Sequence, residues 1–225
     1  MRRVKRTQGR HEPDALQRPD CRWVAGFKVH RALIYSQFEK SRMFELIAFV
    51  ALSAMLVYIS RASLRVPRSH GFYRFFAWEF ITALFILNID VWFLDPFSRH
   101  QLVSWFFLVI CPIPLVFGIR SLRDRGKPVA QRDTEPQLLA FEKTSILVTT
   151  GIYHYIRHPL YSSLLLLTWG IFFKAPTWPG VLLALMATLF LVATAKADET
   201  ECIQFFGHSY RNYMKQTKMF VPFMF

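Results

Sequence analysis

Apolar residues run in blocks along this chain rather than alternating with polar ones. Five blocks stand out, near 43–60, 72–94, 102–119, 160–173 and 178–195. A membrane-spanning helix needs about 20 apolar residues, with a range of roughly 17–25. The first, second, third and fifth blocks meet that length. The fourth, Leu160 to Phe173, is short and is bounded by Pro159 on one side and Lys174 and Pro176 on the other. In lipid every backbone N–H and C=O needs a partner within its own segment, so these blocks predict helices. The period-2 pattern of a β-barrel strand is absent. The expected fold is all-α, a multi-pass transmembrane bundle of about five spans.

Lys174 to Thr177 alone separates the fourth and fifth blocks. They must therefore form a tight helical hairpin, which leaves the 120–159 link and the C-terminal tail on one side of the membrane. With five spans the 61–71 loop shares that side. Lys and Arg side chains choose the orientation, weighted to those within about 20 residues of a span. On that count the link-and-tail side holds fifteen, and the opposite side keeps Lys28, Arg31, Lys40, Arg42, Arg99 and Lys174. The link and the C-terminus are expected in the cytoplasm. Three regions follow: a basic polar tail at 1–42, three spans at 43–119, and a region at 120–225 with two spans and the tail.

Composition narrows the function classes. The 225 residues are 53% hydrophobic with 23 phenylalanines, too apolar for a disordered chain. Lys and Arg number 28 against 15 Asp and Glu, a net charge of +13. That charge sits between apolar runs, where membrane topology puts it. No recognition-helix or zinc pattern accompanies it, so nucleic acid is not an expected partner. The three cysteines, Cys21, Cys111 and Cys202, form no disulfide framework. The N-terminal tail has eleven Lys or Arg and no apolar core close behind its first charges, unlike a secretory signal.

The chemistry concentrates in two stretches. Residues 145–161 read S-I-L-V-T-T-G-I-Y-H-Y-I-R-H-P-L-Y. Gly151 marks a turn, and Pro159 suits a first helical position, where its missing N–H costs nothing. Arg157 and His158 beside a helix N-terminus suit an anionic group, and the tyrosines suit a heterocycle. The same residues also fit an ordinary interfacial belt. Residues 194–213 read T-A-K-A-D-E-T-E-C-I-Q-F-F-G-H-S-Y-R-N-Y. Here the last span is expected to run on past the membrane and stop at Gly207. Asp198, Glu199 and Glu201 then fall on the side of Arg157, either as ligands for an ammonium group or as solvated charges. His154 and His158 lie four apart without a further ligand cluster, so no metal site is expected.

Taken in order, these residues form a pattern. Leu147, Val148, Gly151, Tyr153, Arg157, His158, Pro159 and Tyr161 precede a hairpin. After it come Phe206, Gly207, Tyr210, Tyr213 and Pro222. Over about 136–222 the chain resembles the integral-membrane S-adenosylmethionine-dependent methyltransferases, namely the isoprenylcysteine carboxyl methyltransferases with their bacterial relatives and the phospholipid N-methyltransferases. The resemblance implies a methyl transfer from S-adenosylmethionine to a lipid-like or small amphipathic acceptor. It implies a cofactor pocket lined by Ser145, Leu147, Val148, Tyr153, His158, Pro159, Leu160, Tyr161 and Asp198, with Arg157, His158 and Glu199 in catalysis. The family usually carries Glu where this chain has Asp198. It carries Arg, facing a prenylcysteine carboxylate, where this chain has Thr194, so Thr194 would face the acceptor here. Glu79, an ionisable residue within the second block, is a further candidate for the acceptor site or for an interhelical hydrogen bond. Two other readings stay open: an NADPH-dependent reductase of the sterol-reductase type, and a non-catalytic membrane partner.

Overall fold

The computed structural model describes residues 21–126, 138 and 142–221, with side chains from 42 onward. Residues 1–20 of the N-terminal tail, part of the link and Pro222 lie outside the described residues. The chain divides into two units, Met1–Phe44 and Glu45–Phe225. The described part of the first is helical backbone from residue 21, the beginning of α1 (Cys21–Leu64).

The second unit continues α1 and adds α2 (His70–Leu87), α3 (Arg99–Ile110), α4 (Pro112–Arg125), α5 (Pro159–Phe172), α6 (Trp178–Phe206) and α7 (His208–Gln216). No strand occurs among the described residues, only an isolated bridge between Ile156 and Lys218. Three stretches are long and apolar enough to cross a membrane: Arg42–Leu64, Arg99–Arg125 and Trp178–Phe206. α2 and α5, with 18 and 14 residues, are shorter. The fold is a membrane helical bundle.

Local chemistry explains where the helices differ from the block boundaries. Ser69 caps α2 by accepting from the Phe72 N–H at 3.1 Å. The second block is expected to run to 94, yet α2 stops at Leu87. Asn88 Nδ2 donates to the Leu84 carbonyl at 2.9 Å, which ends the ladder, and a 3-10 turn follows at Ile89–Val91. Asp90 is therefore not on a helical face shared with Glu79. The third block is two helices, because Pro112 has no N–H to continue the ladder of α3 and opens α4 instead. The hairpin stands as expected. Thr177 accepts from the Gly180 N–H at 3.2 Å and starts α6.

α6 is the spine. Its buried stripe of Ala184, Ala187, Leu191 and Ala195 carries mostly small side chains, and α2 packs closely along it. Ile81, Leu84, Ile171 and Phe172 complete that core. At the end of the bundle away from the motif residues, Lys174 is wholly buried. Its Nζ lies 3.4 Å from the Trp105 ring centroid and donates to Gln101 Oε1 at 3.0 Å.

Candidate functional site

Two features of α6 bring the motif residues together. The helix has 29 residues, about 43 Å at 1.5 Å per residue. That exceeds a hydrocarbon core of about 30 Å, so its last turns project beyond the apolar layer. Asp198 and Glu201 are three apart and share one face, with Cys202 and Phe206 following on it. Glu199 turns about 100° away. The helix ends where Gly207 adopts φ 61° and ψ −127°, a conformation that suits glycine.

The opposing wall is the loop that leads into α5. A 3-10 turn at Gly151–His154 buries Tyr153. The loop is tied down by the chain that follows α7. The Arg157 N–H donates to the Lys218 carbonyl at 2.8 Å, and the His158 N–H to that of Met219 at 3.1 Å. Ser162 Oγ donates to the Phe220 carbonyl at 2.8 Å, and the Tyr213 hydroxyl to that of Tyr153 at 2.5 Å.

Loop and helix meet through ion pairs. Arg157 Nε donates to Glu199 Oε1 at 2.7 Å, while its Nη1 donates to the carbonyls of Met214 and Thr217. The buried His158 ring lies between two carboxylates, with Nδ1 3.4 Å from Asp198 Oδ2 and Nε2 3.3 Å from Glu199 Oε1. Burial disfavours the imidazolium, but the contacts with Asp198 and Glu199 outweigh it and raise the His158 pKa. The Tyr161 hydroxyl donates to Asp198 Oδ2 at 3.3 Å, and its ring stacks on His158 at 5.4 Å. Burial pushes the phenols of Tyr153, Tyr210 and Tyr213 up, so they are hydrogen-bond donors at neutral pH.

These groups surround a cavity of about 100 Å³ that opens to solvent. Of the residues expected there, Leu147, Val148, Tyr153, Arg157, His158, Pro159, Leu160, Tyr161 and Asp198 line it. Glu199 stands behind Arg157 and His158 as their counter-ion. Ser145 is off the wall, with its N–H donating to the Gly126 carbonyl at 3.1 Å; Thr144 faces the cavity instead. Thr194 is also off it, buried in α6 with its hydroxyl on the Phe190 carbonyl at 2.7 Å. Glu79 lies away from the cavity and accepts from Ser53 Oγ of α1 at 2.6 Å, an interhelical bond.

Glu201, marked in the sequence beside Asp198, lines the cavity, and so does Glu142, which motif spacing did not single out; α2 supplies partners for both. Arg74 Nη1 donates to both Glu142 oxygens at 2.8 and 3.0 Å, and His70 Nδ1 lies 2.8 Å from Glu201 Oε2. His70 and Arg74 occur in an aromatic helix with no recognisable motif. Their only sequence signal is two basic residues four apart at the start of an apolar block.

Comparison with known proteins bears on this geometry. The sequence profile of the phospholipid methyltransferase family matches residues 136–209, which hold both walls of the cavity. The methanethiol S-methyltransferase of Pseudomonas deceptionensis is 30% identical over 107 residues, 48% of this chain and 36% of that protein. These matches support an integral-membrane methyltransferase family. The methanethiol S-methyltransferase of Crocosphaera subtropica is 29% identical over 76 residues, 34% of this chain and 29% of that protein. The chain spans about a third of the length of the curated relatives it matches. No solved structure matches it. The methyltransferase match lies on α5, α6 and the loops beside them, while α2, outside the matched window, bonds to the lining carboxylates Glu201 and Glu142.

Proposed function

We propose that the chain is an integral-membrane methyltransferase that takes its methyl group from S-adenosylmethionine and delivers it to a lipid-like or small amphipathic acceptor. One observation carries this reading. The loop before α5 and the acidic end of α6, 41 positions apart in sequence at His158 and Glu199, meet at 3.3 Å beside a cavity. The donor set suits this cofactor. Asp198, Glu142 and Glu201 offer carboxylates to its positive centres, the phenols offer hydrogen bonds to the nucleoside, and Leu147, Val148 and Leu160 offer an apolar wall.

S-adenosylmethionine supplies a methyl carbon on a sulfonium, which an acceptor's lone pair displaces in line while the breaking C–S bond leaves its electron pair on sulfur. This chain's residues align the two and exclude water, which contributes up to about 7–11 kcal/mol. Asp198 holds positive charge, with its orientation set by Tyr161 and His158. Arg157 and Glu199 fix the loop against α6, and His158 braces both carboxylates. A base role for His158 requires its neutral form, which the flanking carboxylates oppose, so it acts first as a cationic clamp. The relatives named for methanethiol make a small thiol the first acceptor to try. The absence of Arg at Thr194 argues against a prenylcysteine. We place the cavity on the cytoplasmic side of a bacterial inner membrane, where the charge bias puts the link and tail.

Calorimetry with S-adenosylhomocysteine tests the reading. The wild type is expected to bind. Asp198→Ala and Arg157→Ala are expected to lose measurable binding while helical content is kept, and unchanged affinity in both would refute the assignment. Thermal shift with NADPH distinguishes a reductase. Labelled S-adenosylmethionine, offered with a methyl-accepting thiol or a native lipid extract, identifies the acceptor by mass spectrometry of the product.

A further inference from the structure

α2 begins outside the segment that the family profile matches, yet its first turns bond to two carboxylates that line the cavity. The His70 N–H donates to Glu201 Oε1 at 2.8 Å, and Nδ1 of the same residue lies 2.8 Å from Oε2. Both oxygens of one cavity carboxylate are thus held by one residue. The other imidazole nitrogen, Nε2, faces Glu142 Oε2 at 3.6 Å, beyond hydrogen-bond range, and is buried without a hydrogen-bond partner. One helical turn later, Arg74 grips both oxygens of Glu142.

His70 is only 1% exposed, so this is not solvated surface pairing. Removing ion pairs from water costs enough that they rarely improve stability over an apolar packing. Here the two carboxylates also face an open cavity. Asp198 and Glu201 share one face of α6, so the cavity presents one acidic group beside His158 and a second acidic wall, Glu201 with Glu142, braced from α2. A ligand with two positive centres, a sulfonium and an ammonium, matches two such walls.

We propose that His70 is a positioning residue of the site, aiming Glu201 and, together with Arg74, Glu142 at the methyl donor, so that the first turn of α2 shapes donor binding. This rests on the cofactor reading above. Aiming a carboxylate requires that its torsions be fixed, and a residue that bonds to both oxygens fixes them. Asn can place an amide nitrogen near the position of Nδ1, whereas Ala cannot.

The test is calorimetry with S-adenosylhomocysteine on the full-length protein in detergent, together with its thermal midpoint. His70→Ala is expected to weaken binding about tenfold, the scale of one hydrogen bond to a charged group. His70→Asn is expected to restore most of the loss. If His70 serves only packing, the variants lower the midpoint and the binding stoichiometry, but the folded fraction keeps wild-type Kd. Where His70→Ala does not fold, Glu201→Gln in the wild-type and His70→Leu backgrounds completes a cycle, and a shared interaction predicts a non-additive change in Kd. Unchanged Kd in His70→Ala, or additive effects in the cycle, would overturn the inference alone. A wild type that binds no S-adenosylhomocysteine overturns the cofactor reading and this one with it.

Discussion

His158 sits where the backbone bonds of the C-terminal strap, the ring stack of Tyr161 and two carboxylates converge. Its burial works against charge and its partners work for it, with the partners prevailing. The sign of the pH dependence follows. A folded-state pKa raised above the ordinary value of about 6.5 contributes stability that is fully present below that pH. The contribution is lost as pH rises through the folded value. The thermal midpoint of the wild type relative to His158→Gln is therefore expected to shrink between pH 6 and pH 9, and a gap that widens would contradict the clamp. Sequence spacing marked Arg157, His158 and Tyr161 because they stand at the helix start that Pro159 announces, and the family resemblance marked Asp198. It could not mark Glu142 or His70. Their importance arises from chain segments that meet only in three dimensions, with 131 residues between His70 and Glu201. It also placed Thr194 and Ser145 toward ligands. Their rotation about a helix axis or a loop is decided by packing, and that is where the two depart from the cavity wall.

Element boundaries tell a similar story. Blocks of apolar residues predicted where the helices run, although three of the five are long and apolar enough to cross a membrane. They overran at the ends of α2 and across α3 and α4. A side chain that satisfies a carbonyl, as Asn88 does, or a proline that cannot donate, as at Pro112, is a single-residue event inside an apolar run. The end of α6 was legible because glycine was required there. Gly207 holds φ 61° with ψ −127°, a region that other residues enter only with strain. A Cβ there would meet nothing within 4 Å, so the cost is conformational rather than steric. Gly207→Ala is expected to lower stability by about 1–3 kcal/mol, read as a drop in thermal midpoint. Because α7 and the strap hang from this hinge, S-adenosylhomocysteine affinity is expected to fall with it. A silent substitution would show that the turn does not position the strap.

On the scale of the molecule, the two ends of the bundle carry opposite kinds of polar chemistry. At one end, the first turn of α2, the link, the α5 loop and the strap share ion pairs around a cavity. α5, with 14 residues, is about 21 Å long, shorter than the apolar layer it stands in. At the other end a single ammonium group, Lys174, is enclosed by Trp105, Trp92 and Gln101.

That enclosure bears on how the protein is made. With the link and tail in the cytoplasm, as proposed, the hairpin of α5 and α6 carries Lys174 through the membrane as it inserts, and a lysine at mid-bilayer costs about 2.5–3.5 kcal/mol on translocon scales. The residues that receive it belong to α3 and the turn before it, which leave the ribosome first. The receptacle can thus be waiting when the cargo arrives. Trp105→Ala together with Gln101→Leu is expected to slow integration of the hairpin in a cell-free translocation assay, and Lys174→Met on that background to restore it.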